Sequence, residues 1–242
     1  MHPILLKTQS FTFYTYGLCV ALAMTLALAL TFRRSIRAGI SWSDALDLLF
    51  ILFVAGLAGS RLAYVAQNWD YFRSDPWNAV RIQEGGLVWY GGFWLGLACG
   101  FVYCAWKKQS VLFWMDFFAP TAALAHAVGR MGCFLNGCCT GRPTTFFLCV
   151  RFPEDGFSRH PVQLYEAALL TMLGCALLIL NRKQRRPGQI FGVYLLGYGV
   201  IRFMLEFLRD GQALFVHLTL PQWISLALIA VSPLFFMKTR QK

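Results

Sequence analysis

Residues 127–142 read AVGRMGCFLNGCCTGR and join two strongly apolar segments, 111–128 and 162–180. A Gly-Arg pair, a Cys/Phe/Asn turn and a second Gly-Arg pair follow one another here. An arginine beside a hydrocarbon layer is costly unless something compensates it, so such a charge marks a place that holds an anion. In a membrane the commonest anion is a lipid phosphate.

The rest of the chain supports a membrane setting. Hydrophobic residues make up 57% of the 242 residues and charged residues 14%, with a mean hydropathy of +0.53. These values lie outside the range of soluble domains. Apolar stretches at about 14–32, 44–66, 87–106, 111–128, 162–180, 188–208 and 218–237 are expected to be spans. A spanning helix needs roughly 20 apolar residues, which leaves the fourth marginal. The expected fold is all-α: a polytopic membrane protein of about seven transmembrane helices with a periplasm-facing loop or head region. One integral membrane domain is expected to cover residues 1–242.

The net charge of +11 does not imply nucleic acid. The basic clusters Arg33/Arg34/Arg37, Lys107/Lys108, Arg182/Lys183/Arg185/Arg186 and Lys238/Arg240/Lys242 follow the first, third, fifth and seventh spans. The positive-inside rule then puts the N-terminus outside and the C-terminus in the cytoplasm. No cleavable signal peptide is expected, because the first apolar run is long enough to span. The opposite face should carry loops at about 67–86, 129–161 and 209–217. Surface ion pairs account for Arg73, Arg81, Arg151 and Arg159 there, whereas Arg130 and Arg142 need another reason.

Eight cysteines are present. The CxxxxCC spacing of Cys133, Cys138 and Cys139 departs from the paired spacing of a zinc site, so neither a metal nor another cofactor is expected. An oxidising compartment favours a disulfide in the external loop, with its pairing left open.

Four groups carry the chemistry. Glu84-Gly-Gly-Leu-Val-Trp-Tyr-Gly-Gly92 places Tyr90 between two glycine pairs that permit close backbone approach. Gly129-Arg130 through Gly141-Arg142 offers planar guanidinium forks for phosphate. In His160-Pro-Val-Gln-Leu-Tyr-Glu166 the carboxylate falls about one turn inside a span, and is expected to meet an arginine. Tyr198, Arg202, Glu206 and Arg209 recur at spacings of 4, 4 and 3, along one helical stripe.

These residues resemble the prolipoprotein diacylglyceryl transferase family, and the resemblance runs through most of the chain. Tyr16-Gly17 is similar to its early Tyr-Gly, Gly59-Ser-Arg61-Leu62 to its Gly-x-Arg-Leu, and Gly85-Gly-Leu87 to the start of its Gly-Gly-Leu-x-x-His-Gly-Gly element. The His160–Glu166 and Tyr198–Arg209 motifs match almost throughout, and Gln222-Trp-Ile-Ser225 resembles its last-span Gln-x-x-Ser. The family signature Gly-Arg-x-Gly-Asn-Phe-x-Asn-x-Glu-x-x-Gly is kept at Gly129, Arg130, Gly132, Phe134, Asn136 and Gly141. Cys133 replaces its first Asn, Cys138 its Glu, and Tyr90 the histidine of other members, which marks a divergent branch.

The resemblance implies a transferase of lipoprotein biosynthesis in the bacterial inner membrane. The diacylglyceryl group of phosphatidylglycerol moves to the lipobox cysteine thiol of a prolipoprotein signal peptide, a thioether forms, and glycerol phosphate leaves. It also implies roles for residues. Arg130 is the main headgroup ligand, with Arg61 and Arg142 secondary, and Arg202 stabilises the leaving group while Glu206 orients it. Tyr198 and Tyr16 position the lipid, Asn136 supplies hydrogen bonds, and Gly141 belongs to the binding loop. Tyr90 is expected to donate a hydrogen bond to a thiolate stabilised by positive charge. The alternatives are a relative with another lipid donor or acceptor, a non-catalytic lipid-binding protein, and a redox or metal protein built on the cysteines.

Overall fold

Long apolar runs form helices here because a backbone in hydrocarbon must satisfy its own polar groups. The computed structural model describes residues 3–7, 12–82, 85–152, 156–182, 186–210 and 217–236. Glu84, Lys183, Arg185, Lys238, Arg240 and Lys242, named above, lie outside the described residues. A hairpin of β1 (Ile4–Lys7) and β2 (Thr12–Tyr14) precedes α1 (Thr15–Ala38), α2 (Trp42–Gln67), the short α3 (Trp69–Phe72) and α4 (Trp89–Trp106). After α5 (Val111–Asn136), a loop carries the two-residue strands β3 (Val150–Arg151) and β4 (Ser158–Arg159). Then follow α6 (Val162–Leu180), α7 (Gln189–Glu206) and α8 (Leu220–Val231). Single 3-10 turns at Pro76–Val80 and Ser232–Phe235 complete the described elements.

The protein is an all-α polytopic membrane protein. Among the described residues, four helices are long and apolar enough to cross a membrane: α1, α2, α5 and α6. Helices occupy the other three expected spans, but α4 and α7 have 18 residues and α8 only 12. At 1.5 Å per residue, 18 residues reach about 27 Å and 12 about 18 Å.

The fourth span was expected to be marginal and to end near residue 128. Instead α5 has 26 residues and continues to Asn136. Residues 129–136 are thus two helical turns, not a loop, and Arg130 projects from a rigid helix. The region after Gln67 is likewise more regular than the loop expected there, with α3 and the 3-10 turn begun by Pro76.

The chain forms two compact units, Thr31–Val111 and the combination of Met1–Leu30 with Leu112–Lys242. In the Thr31–Val111 unit, α2 and α4 touch through small residues. A Cβ on Gly59 would strike the Gly91 carbonyl, and one on Gly92 would strike Ser60 Oγ and the Gly56 carbonyl. Gly96 and Gly100 continue that seam against Leu52. Small residues at such spacing let membrane helices pack closely where water supplies no hydrophobic drive. Gly91 and Gly92, which follow Tyr90, therefore serve helix packing.

In the other unit, the α5 carboxylate Asp116 caps α7. Its two oxygens accept from the backbone N–H groups of Gly188 and Phe191, both at 2.7 Å. The cap satisfies donors left over at the helix start and places negative charge at its positive end. α8 begins with a capping box in which Thr219 and Gln222 hold each other's backbone N–H groups.

Candidate functional site: a buried arginine–glutamate cluster

Glu166 projects from the second turn of α6 and is fully buried. A bare carboxylate there would be prohibitive, and two helices compensate it. Arg130 Nη2 of α5 lies 3.0 Å from Glu166 Oε1, and Arg202 Nη1 of α7 lies 3.9 Å from Oε2. His126 Nε2, one turn before Arg130, stands 3.8 Å from Oε1. The expectation that Glu166 meets an arginine is met twice over.

Arg202 also holds Glu206 one turn further on, at 2.9 Å. Glu206 is itself buried and accepts a hydrogen bond from Thr219 Oγ1 at 3.1 Å. The tyrosine of the same stripe, Tyr198, packs its ring 5.6 Å from that of His126 and stacks 6.0 Å from Tyr194. The four-residue spacing of Tyr198, Arg202 and Glu206 therefore lines one cluster with Arg130 and Glu166. Two glutamates balance two arginines, yet hydrogen bonding is incomplete. Arg130 Nε and Arg202 Nη1 are buried without a hydrogen-bond partner, and the Glu166 oxygens and Glu206 Oε2 are held by ion pairing rather than by well-aligned hydrogen bonds. Buried polar groups are normally satisfied, so unused donors on two guanidinium groups suit an anionic ligand.

An apolar groove of about 410 Å³ runs between α1, α5 and α6. Ala127, Val128 and Met131 of its wall flank Arg130 in sequence, and Ala167 follows Glu166. The charged cluster thus shares α5 and α6 with an apolar groove.

Beyond α5 the chain is tied down by the ends of α6 and α7. Gly141 N–H donates to the His160 carbonyl at 3.0 Å, and Arg142 N–H to the Leu208 carbonyl at 2.8 Å. A Cβ on Gly141 would come within 2.7 Å of the His160 and Leu208 carbonyls. Gly141 is therefore a point where the backbone threads closely between the ends of α6 and α7. Arg142 Nε donates to the Arg209 carbonyl at 2.8 Å. Asn136 closes α5.

Gln163, 1% exposed, donates through Nε2 to the Cys138 carbonyl at 2.6 Å. The thiols of Cys133, Cys138 and Cys139 converge, with all three Sγ atoms within 4.8 Å of one another. All eight cysteines are free, so the disulfide expected in this loop is not formed. Hydrogen bonds from Cys133 and Cys138 draw the Cys139 thiol below its ordinary value, and Arg209 and Arg130 reinforce the shift. Tyr16 of α1 stands beside this group. Its electrostatic neighbours are the three cysteines and Arg130, and its ring flanks Gly132.

Arg61 and Tyr90 belong to the other unit. Arg61 was expected as a secondary phosphate ligand, but its guanidinium is occupied. Nε donates to the Ala79 carbonyl at 2.8 Å, Nη1 to the carbonyls of Gly85 and Gly86, and Nη2 to those of Asn78 and Arg81. Its charge also lies over the rings of Phe72 and Tyr64, at 5.3 and 5.6 Å. Gly85 and Gly86, both with φ near +80°, aim their carbonyls at it in a backbone conformation that side chains resist. This arginine organises a loop. Tyr90 lies in the first turn of α4, 46% exposed, with its ring 5.2 Å from that of Trp89.

Glu166 was expected to meet an arginine but was given no catalytic or binding role, and His126 was given none, although both lie at the centre of the cluster. A carboxylate and an imidazole on the polar faces of apolar helices were the available signal. Thr219, which holds Glu206, gave none beyond its place before Gln222.

Apolar spanning helices around buried, compensated charges define the class: a polytopic membrane protein with a charged interior. The chain belongs to the prolipoprotein diacylglyceryl transferase family, whose profile matches residues 3–238. It is similar to the phosphatidylglycerol–prolipoprotein diacylglyceryl transferase of Clostridium tetani, at 31% identity over 98% of this chain and 97% of that one. The enzymes of the same name from Streptococcus mutans and Streptococcus uberis are 30% and 29% identical. Those matches cover 100% and 99% of this chain, and 96% of each relative.

Proposed function

We propose that the chain transfers the diacylglyceryl group of phosphatidylglycerol to the lipobox cysteine of a prolipoprotein signal peptide, as one transferase domain over its full length. The observation that carries this reading is the buried Arg130–Glu166–Arg202 cluster, with unused guanidinium donors beside an apolar groove. The groove takes an acyl chain. Arg130 holds the headgroup phosphate, and Arg202, oriented by Glu206, meets the negative charge that grows as glycerol phosphate departs. Glu166 keeps both guanidinium groups in place while the site is empty. Tyr198 and Tyr16 position the lipid, and Asn136 and Arg142 serve the loop at the helix end.

The acceptor thiol attacks the glyceryl carbon as a thiolate. The C–S bond forms, the C–O bond to phosphate breaks, and the electron pair leaves on the phosphate oxygen. The charge clusters after the first, third, fifth and seventh apolar stretches orient the protein with its N-terminus outside the bacterial inner membrane and its C-terminus in the cytoplasm.

Protein in detergent, labelled phosphatidylglycerol and a lipobox peptide test the proposal together. A diacylglyceryl mass shift on the peptide with release of glycerol phosphate is expected. A folded, lipid-binding preparation that transfers nothing would overturn it.

A further inference from the structure

We propose that Cys133, Cys138 and Cys139 form a three-thiolate site for a thiophilic divalent ion, foremost Zn²⁺, whose open fourth position takes the acceptor thiol. The inference rests on the transferase reading above for the identity of that thiol, but the ion site itself stands on geometry.

The spacing that argued against a metal ignored the backbone. Cys133 lies on the last turns of α5, and the chain turns back immediately afterwards. Gly137 and Cys139 both take left-handed conformations, at φ +81° and +64°, and the Cys138 N–H donates to the Cys133 carbonyl at 3.1 Å. A non-glycine residue rarely adopts that conformation, and here it folds two successive thiols back toward the one on the helix. The Sγ atoms lie within 4.8 Å of one another. Three thiolates at about 2.3 Å from a tetrahedral ion sit roughly 3.8 Å apart, which small side-chain rotations reach.

The turn is held from outside. Gln163 of α6 donates to the Cys138 carbonyl, and Arg209 Nη2 donates to the Cys139 carbonyl at 3.3 Å. Such outer partners fix the ligands of metal sites. Charge is also matched, since three thiolates and Zn²⁺ leave one negative charge, with Arg130 and Arg209 as the electrostatic neighbours of Cys139. Three protein ligands with one position free is the arrangement of catalytic rather than structural zinc.

Loading balances simply: each of the three thiols releases a proton to solvent as its sulfur binds. The acceptor thiol then gives its proton to water as its sulfur takes the fourth position. This supplies a thiolate without a general base. When the C–S bond forms and the C–O bond to phosphate breaks, the sulfur becomes a neutral thioether and leaves the ion.

The test uses the full-length protein in detergent, reduced and then freed of reductant. Elemental analysis and Co²⁺ titration should give one ion per chain, with near-ultraviolet thiolate-to-cobalt bands. Cys133→Ser, Cys138→Ser and Cys139→Ser should each weaken Co²⁺ binding by more than the roughly 10–100-fold typical of an outer-partner loss, and Gln163→Ala by about that amount. A lipobox peptide should shift the visible cobalt spectrum, and its cysteine-to-serine version should not. Absence of stoichiometric binding, binding that survives the triple serine variant, or a disulfide among the three cysteines overturns the site. Full transfer by chelator-stripped protein overturns the inference and leaves the transferase reading standing. A thiol-dependent spectral shift without transfer from phosphatidylglycerol upholds the site and defeats the donor assignment.

Discussion

Arg61 and Arg130 are both largely buried arginines on long apolar helices, and they solve the cost of burial in opposite ways. Arg61 directs its guanidinium at five backbone carbonyls and packs over two aromatic rings. Arg130 faces one carboxylate, shares it with Arg202, and keeps an unused Nε. An arginine that is fully satisfied by its own backbone holds a loop in shape. One that is neutralised by charge but under-supplied with acceptors keeps donor capacity free for the anion proposed above. Partner chemistry, more than burial, separates the two arginines.

The sharpest way to break this contrast is alanine at each position. Arg130→Ala should lower kcat/KM for lipid transfer by about 100- to 1,000-fold, the range for removing a donor at a site of developing charge. Arg202→Ala should do the same, and both proteins should extract and purify as folded species. Arg61→Ala should act on stability instead. Five carbonyls lose their donor, at a cost of about 3 kcal/mol, visible as a lower thermal midpoint. Folded protein of that variant should keep its KM for lipid. An Arg61 variant of unchanged thermal midpoint but absent activity would reverse the assignment.

A smaller effect tests the orientation of Arg202. Thr219→Val removes the hydrogen bond to Glu206 and the side-chain cap of α8 together. About 1 kcal/mol of stability should be lost. Turnover should fall while the KM for lipid holds, because the Glu206 carboxylate loses its fixed direction.

Much of this was legible beforehand. Tyr198, Arg202 and Glu206 share a face because four residues make just over one helical turn, and Glu166 needed a cation because nothing else stabilises a carboxylate one turn inside a span. The continuation of α5 past residue 128 was not legible. Gly129 and Gly132 weaken a helix locally, but Gly132 packs against Cys19 and Tyr16 of α1, and that contact requires the absent side chain. The role of Arg61 was hidden for another reason, since it depends on where carbonyls of a 3-10 turn and of left-handed glycines point. Spacing likewise concealed the meeting of the three thiols, which a turn at Gly137 creates.

The Asp116 cap has a consequence for accuracy. Arg130 lies fourteen residues along α5 from Asp116, and Arg202 lies fourteen residues along α7 from Gly188, the residue that Asp116 grips. Each arginine is therefore carried about 21 Å from one shared peg. They resemble the tips of two rails cut to equal length. A stretch or tilt common to both rails moves the tips together and leaves the gap between the two guanidinium groups unchanged.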